Sequence, residues 1–509
     1  MSHRRVTAAL AAAALATPLL IASTATAAPD HGGHAASLAK KLVRASDAKD
    51  AHRHLEALQA IADASDDTRA AGTAGYDRSA AYVYKTLKRA GYKVSYDTFK
   101  FTYVETLAEK LSVVSPTPGD VEIRAMTYTK STPAGGITAA LAAAPVDADG
   151  TNGCTASDYA AGAFTGKIAL IKRGGCTFAE KQAAAAGAGA VGAVIYNNVE
   201  GTLSGTLSDP AAAKIPTGGI SMAAGEALAA QVAAGPVQVT MDVRQLLEER
   251  ETTNVLAETR GGDADKTVML GAHLDSVQEG PGINDNGSGS AGLLEVAKSL
   301  ADSHAKVKHK VRFAFWGAEE LGLIGSTDYV GRLTEAQQKQ IKLYLNFDMI
   351  ASPNYGLFVY DGDDSDGVGA GPGPEGSAQL EKQITDFMDA RGLPHEGTDF
   401  SGRSDYGPFI EVGIPSGGTF TGAEGIKTPA QAAKFGGEAG AAYDACYHAA
   451  CDDIDNISMR AFDANIDVIA NAVGTYALDL SALTAPAASA PTAGGDTGGG
   501  GLHGDHATE

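Results

Sequence analysis

Basic residues are in short supply: 40 Lys and Arg stand against 61 Asp and Glu, and the formal net charge is −21 over 509 residues. Nucleic acids and anionic membrane surfaces are gripped through basic patches, so this balance argues against both as partners. Aromatics are sparse too, at 6% with a single Trp, while Gly and Ala abound. The hydrophobic fraction of 44% and charged fraction of 20% are still those of an ordinary globular protein, long enough here for two or three domains. Past the N-terminus no stretch approaches the ~20 apolar residues of a spanning helix. At the N-terminus Arg4-Arg5 precede an apolar run from Val6 to Ile21 and an Ala25-Thr26-Ala27 site. That is the layout of a secretory signal peptide over residues 1–27, and a secreted, monomeric protein free of the membrane is expected.

Only four cysteines occur. Three pairings are possible, and spacing favours Cys154 with Cys176 and Cys446 with Cys451. Thiolate metal binding is the rival reading, and an oxidising compartment disfavours it. The second pair would close a tiny loop around Tyr447 and His448.

The stretch from 106 to 248 contains no His at all, and Ala, Gly, Val and Thr dominate it. Within it, 166–176 reads as a strand ending in a glycine turn, 178–187 as a helix and 189–197 as a further strand, a βαβ unit with no ligand-type constellation. This is an inserted, non-catalytic domain. Before it, 28–50 is polar and expected to lie loosely on the surface, 51–64 and 77–90 read as helices, and 92–103 alternates like a strand. From Asn254 onward strands and helices alternate, which predicts a mostly parallel sheet with helices on both faces. The expected division is therefore a signal peptide (1–27), a main α/β domain in two parts (28–105 and 249–483), the insert (106–248), and a Gly/Pro-rich disordered tail (484–509).

Three buried-looking strands each run straight into a polar residue: 267–270 before His273, 311–316 before Glu319-Glu320, and 341–347 before Asp348. Binding sites in open α/β sheets lie outside the carboxyl ends of strands, so these side chains are candidates for one site. Asp285 sits at the centre of a Gly-rich loop, Gly280-Pro-Gly-Ile-Asn-Asp-Asn-Gly-Ser-Gly-Ser290. That loop lacks a Walker Lys, and its carboxylate would repel a phosphate; the economical use of Asp285 is to bridge two cations. His448 completes the set. Two His and several carboxylates suit zinc. One of the adjacent glutamates can bind metal while its neighbour serves as general base, and Asp275 can take the second ring proton of His273.

The motifs at 271–290, 312–325, 344–350, 402–409 and 446–451 closely resemble, in order, the secreted bacterial double-zinc aminopeptidases. The resemblance covers about 28–105 and 250–482. It implies a zinc-exopeptidase α/β fold and preference for Leu and other large apolar N-terminal residues of peptides or proteins. It also implies two zinc ions: His273 and Glu320 on different ions, Asp348 and His448 likewise split, and Asp285 between them. Glu319 would be the general base and Tyr447 the hydroxyl steadying the oxyanion. Arg403 matches a residue lining the substrate cleft and Phe420 a wall of the apolar pocket. Asp30, Asp463 and Asp467 resemble a structural calcium site found in some members. The insert resembles the protease-associated domain. The family's Asp-His pair after Gly-Arg-Ser is Asp405-Tyr406 here.

Rival readings are a carboxypeptidase or aminoacylase with the same paired metals, and a receptor-like binding protein with a degenerate site. The complete ligand set counts against the latter. A serine hydrolase would need a Gly-x-Ser-x-Gly elbow with a credible triad, and none is found.

Overall fold

Residues 31–147, 150, 152–199, 201–369 and 371–484 are described by the computed structural model. The expected signal peptide, Asp30 and the tail beyond Thr484 lie outside the described residues.

The strands Asp263–His273, His309–Trp316, Ile341–Phe347 and Ser416–Phe420 pair in parallel at the centre of a mixed sheet. Phe358–Tyr360 and Glu396–Thr398 extend one edge, and Gln238–Glu258 joins the other antiparallel to His309–Trp316. Strands covered on both faces lack the alternation of a half-exposed strand, and the last seven residues of Asp263–His273 are all buried. Val268 and Leu270 enter the core beneath helices Gly289–Asp302 and Met459–Tyr476, whereas Met269 faces the opposite core with Trp316, Tyr344 and Phe409.

The polarity of 28–50 predicts a loose segment, and over residues 31–50 the structure corrects this. His31–Ala45 is a helix whose Ala35, Leu38, Ala39 and Leu42 are buried. These four recur at i, i+3, i+4 and i+7, an apolar stripe masked by the surrounding Lys, Arg and His. The helix lies against Met459–Tyr476, where a Cβ at Gly474 would stand 2.3 Å from Ala39 Cα. Only glycine permits that approach.

The helices Ala48–Asp63 and Ala74–Arg89 form as their periodicity predicts, each opened by an N-cap side chain, Asp47 and Thr73. The strand expected over 92–103 continues much further. Lys93–Ser115 pairs antiparallel with Gln238–Glu258 nearly throughout, with a register shift between Thr106 and Ala108. This two-stranded ribbon carries the chain into the insert. There Ile137–Ala143, Ile168–Lys172, Gly192–Tyr196 and Thr217–Ile220 form a parallel array. Helix Phe178–Gly187 is present with a Thr177–Glu180 capping box. Ile137–Ala143 also pairs with Gln238–Glu258, so a single fourteen-stranded sheet joins both parts among the described residues.

Both expected disulfides are formed, Cys154–Cys176 in the insert and Cys446–Cys451 beside the main sheet. No helix among the described residues is long and apolar enough to cross a membrane.

Candidate metal centre

His273 ends its strand, Asp348 follows Phe347 directly, and Glu319 lies three residues beyond Trp316. Three neighbouring parallel strands thus deliver these side chains to one end of the sheet. Asp285 enters from the tight turn Ile283–Ser288 that leads into helix Gly289–Asp302. His448 comes from the loop closed by Cys446–Cys451, in a left-handed backbone conformation at φ +53°.

The two oxygens of Asp285 face different partners. Oδ1 is 3.1 Å from His273 Nε2, which is 3.3 Å from Asp348 Oδ1. Oδ2 is 3.2 Å from His448 Nε2, which is 3.0 Å from Glu320 Oε2. Two clusters therefore share one carboxylate. Glu319 stands beside the first, with Oε2 3.8 Å from His273 Nε2.

Four carboxylates and two imidazoles meet here, all but His448 almost out of water; the side chains of His273, Asp285 and Glu320 are 1%, 7% and 7% exposed and that of His448 38%. Buried charge is costly unless compensated. Among the described residues, Asp348 Oδ1 and Glu320 Oε1 are buried acceptors with no hydrogen-bond donor. Orphaned oxygens aimed into a space already flanked by imidazole nitrogens fit divalent cations, and two such ions would offset the four negative charges. His/Asp/Glu donors suit zinc. In the bare protein, burial pushes the Glu319 carboxyl well above the usual range, against the pull of His273, and pushes Glu320 to about 7. Burial opposes ionisation of Asp285 as well, but its hydrogen bonds to the two imidazoles hold it below the ordinary range.

A surrounding layer fixes these groups. His273 Nδ1 bonds the Asp275 backbone carbonyl at 3.2 Å, and the Asp275 carboxylate stands 3.7 Å away. That carboxylate accepts instead from the Glu319 and Glu320 backbone N–H groups at 3.2 and 3.4 Å, pinning the turn that carries both glutamates. Ser404 Oγ donates to Asp348 Oδ2 at 2.6 Å. Asp452, next to Cys451, accepts from the N–H groups of Asn284 and Asp285 at 2.8 and 2.9 Å. Arg69 is fully buried and donates to the carbonyls of Leu274, Pro281 and Gly282, tying the His273 strand end to the Asp285 loop. Arg69, Ser404 and Asp452 escape a search of the sequence. Each is a common residue type carrying no spacing signal, although Asp452 adjoins a cysteine.

Beside the metal centre a cleft of about 300 Å³ is lined by Met349, Phe358, Phe420 and Tyr443, with Arg403, Glu424 and Tyr447 on its polar side. The Tyr447 ring stacks on His448 at 3.8 Å between centroids. Burial pushes the Tyr447 hydroxyl upward. Asp405 is fully buried near the site, and burial pushes its carboxyl to about 7. Tyr406, in place of the family's His, packs against Tyr360 and Phe400 and accepts from the Gly402 N–H at 3.0 Å. The remaining expected positions lie elsewhere, on helix Met459–Tyr476. Asp463 accepts from the Ala48 N–H at 3.3 Å, and Asp467 pairs with Arg391.

A mostly parallel α/β sheet with two carboxylate–imidazole clusters sharing one aspartate at its strand ends defines a co-catalytic metallohydrolase. The chain belongs to peptidase family M28, whose pattern matches residues 254–473, and it carries a PA domain matched at 137–228. It is a two-zinc enzyme of the aminopeptidase type, a hydrolase of peptide bonds. It is 47% identical over 433 residues to leucine aminopeptidase 2 of Trichophyton tonsurans, covering 85% of this chain and 84% of that one. A probable leucine aminopeptidase 2 of Aspergillus oryzae is 45% identical over 418 residues, with 82% and 81% covered. Among solved structures, an aminopeptidase from Aneurinibacillus sp. strain AM-1 superposes with a TM-score of 0.68 at 28% identity, covering 86% of this chain and 95% of that one. A zinc aminopeptidase from Bacillus subtilis does so at 0.62 and 28%, covering 84% and 94%.

Proposed function

We propose that this enzyme removes Leu and other large apolar residues from the free N-termini of peptides and proteins. The relatives are called leucine aminopeptidases, and an aromatic-walled cleft beside the metal centre suits a branched apolar side chain. The observation that carries the reading is the division of the Asp285 oxygens between two imidazole–carboxylate clusters.

His273, Asp348 and Asp285 would hold one zinc, and His448, Glu320 and Asp285 the other. When bound, the pair supplies Lewis-acid polarisation of the scissile carbonyl and acidifies the attacking water. Glu319 Oε2 accepts the proton of that water and returns it to the departing amine. The Tyr447 hydroxyl donates to the carbonyl oxygen as negative charge develops on it. Carboxylate oxygens of Glu319 and Asp348 receive the substrate's α-ammonium group, so an unblocked N-terminus is selected. Asp275 and Ser404 position the glutamates and Asp348 without touching substrate.

We read residues 28–105 and 249–483 as the peptidase domain and 106–248 as the insert. The protein acts outside the cell as a monomer; two disulfides suit that compartment. A calcium ion at Asp30, Asp463 and Asp467 is proposed as structural, and calcium added to metal-stripped, zinc-reloaded protein should then raise its melting temperature.

The test is a panel of aminoacyl p-nitroanilides with metal analysis of the purified protein. Leu-p-nitroanilide should be cleaved well, N-acetyl-Leu-p-nitroanilide not at all, and zinc should approach two per chain. Preferential release of C-terminal residues, or of acyl groups from N-acylated amino acids, would replace this reading with the carboxypeptidase or aminoacylase one.

A further inference from the structure

The Arg403 guanidinium is held from two sides. Nη1 donates to the Glu424 carboxylate at 2.8 Å, and Nη2 donates to the Tyr447 hydroxyl at 3.1 Å. The three side chains come from three separate loops, all opening on the same cleft. The Arg403 and Glu424 side chains are 45% and 55% exposed, and an ion pair so open to water adds little to folding. Its use must lie in where it holds the guanidinium.

The loop bearing Glu424 is itself anchored. Asp444 N–H donates to the Ala423 carbonyl at 2.9 Å, and Tyr443 N–H to the Gly425 carbonyl at 3.0 Å. Gly422, at φ +96°, lies against the Tyr443 ring, where a Cβ would stand 2.3 Å from Cγ. Glu424 is therefore fastened to the same segment that runs on through Cys446 to Tyr447. The backbone beside Arg403 is held through the Gly402 N–H and Ser404, but the long Arg403 side chain projects from it into the open. Arg403 sits in an exposed stretch, Ser401 to Arg403, after a glycine at φ +81° with open space around it. A long, flexible side chain on an open loop needs a fixed partner to hold one orientation.

We propose that Glu424 is a positioning residue for the peptidase reaction. It fixes the Arg403 guanidinium so that Nη2 fills a lone pair of the Tyr447 oxygen, leaving the phenol proton directed into the cleft toward the substrate carbonyl. Hydrogen bonds in such a chain polarise one another, so a guanidinium locked in place makes Tyr447 a better donor to a developing oxyanion. The inference rests on the role of Tyr447 proposed above.

The experiment measures kcat and KM on Leu-p-nitroanilide for the zinc-loaded enzyme and for Glu424→Gln, Glu424→Asp, Arg403→Ala and the Glu424→Gln/Arg403→Ala pair. Glu424→Gln should lower kcat about tenfold with KM changed less than about twofold, and zinc content and melting temperature should stay at wild-type values. Glu424→Asp, which keeps the charge, should recover part of the loss. The double variant should be no slower than Arg403→Ala alone, because removing Arg403 leaves Glu424 nothing to position. A Glu424→Gln enzyme with wild-type kcat, or a loss that adds in full to that of Arg403→Ala, overturns the proposal while leaving the aminopeptidase reading intact. A wild-type enzyme inactive on unblocked aminoacyl substrates overturns both.

Discussion

The Tyr128 hydroxyl of the inserted domain donates to the Leu321 carbonyl at 3.4 Å, one residue beyond the paired glutamates of the metal centre. The Leu321 side chain packs both on the insert's core, with Val104 and Tyr128 among its members, and on the cluster of Phe99, Phe101, Tyr103 and Ala318. The Asp275 carboxylate pins the same turn from the other side. The turn is thus clamped between the sheet and the insert. Leu321→Ala should cost about 1–3 kcal/mol of stability, less than a fully buried Leu, and should lower kcat more than it raises KM. Urea unfolding and steady-state kinetics check both. Unchanged kcat would mean that the insert does not support the glutamates.

Removing the proposed proton acceptor should separate catalysis from metal binding. Glu319→Gln should reduce kcat by roughly 10²–10⁴-fold, with zinc content near wild type because Glu320, not Glu319, stands with His448 and Asp285. Metal analysis beside turnover measurements decides it. Parallel loss of zinc would show that the glutamates had been assigned in the wrong order.

Stripping the metal leaves Glu320 and Asp348 each with an orphaned buried oxygen. A chelator such as 1,10-phenanthroline should abolish activity and lower the melting temperature, because ligand binding to the folded state contributes stability by mass action. Zinc restores both, and thermal scans before and after addition measure the shift. Activity that persists after complete zinc removal would contradict the metal-dependent reading.

The Cys446–Cys451 bridge spans five residues and carries His448 in a left-handed conformation, which non-glycine residues adopt infrequently. With both cysteines replaced by Ala, the loop should relax. His448 would then meet Asp285 and Glu320 less often, zinc affinity should fall, and kcat/KM should drop at least about tenfold at limiting zinc. Excess zinc should recover part of that loss, a pattern that general unfolding would not give.

His309 is 3% exposed, and neither ring nitrogen has a hydrogen-bond partner among the described residues. Burial, and then Lys308 and Lys266, lower its pKa below the ordinary value. The unfolded chain therefore takes up a proton near pH 6.5 that the folded protein resists. Stability contributed by this group is present above about pH 6.5 and declines as pH falls through the lowered folded value. Urea unfolding between pH 7.5 and 5.5 should show a shallower decline for His309→Asn than for wild type. Equal slopes would remove His309 from the account.

Most of the candidate metal centre was legible in the sequence because each candidate ligand is marked by its neighbours. His273, Glu319-Glu320 and Asp348 follow strands too apolar to be exposed, Asp285 sits among glycines, and His448 lies between cysteines. The first helix went unrecognised because its four-residue apolar stripe is short and diluted by charged residues, and it becomes stable only against helix Met459–Tyr476. Nor did the local pattern at Tyr92–Tyr103 tell how far that strand would run, since its length depends on a partner some 140 residues away in the chain.

What the sequence determined by itself is local: most of the strands and helices, where the central strands stop, and which chemical groups stand at those ends. Periodicity and residue type suffice for that, because they act over one or two turns of chain. Only the tertiary structure decided which oxygen of Asp285 meets which imidazole, that Asp275 holds the glutamate turn through its backbone, and that Arg69, Asp452 and Glu424 join the site. Those relationships are distances between residues remote in sequence. They are set by packing the whole sheet, and no pattern of neighbours encodes them.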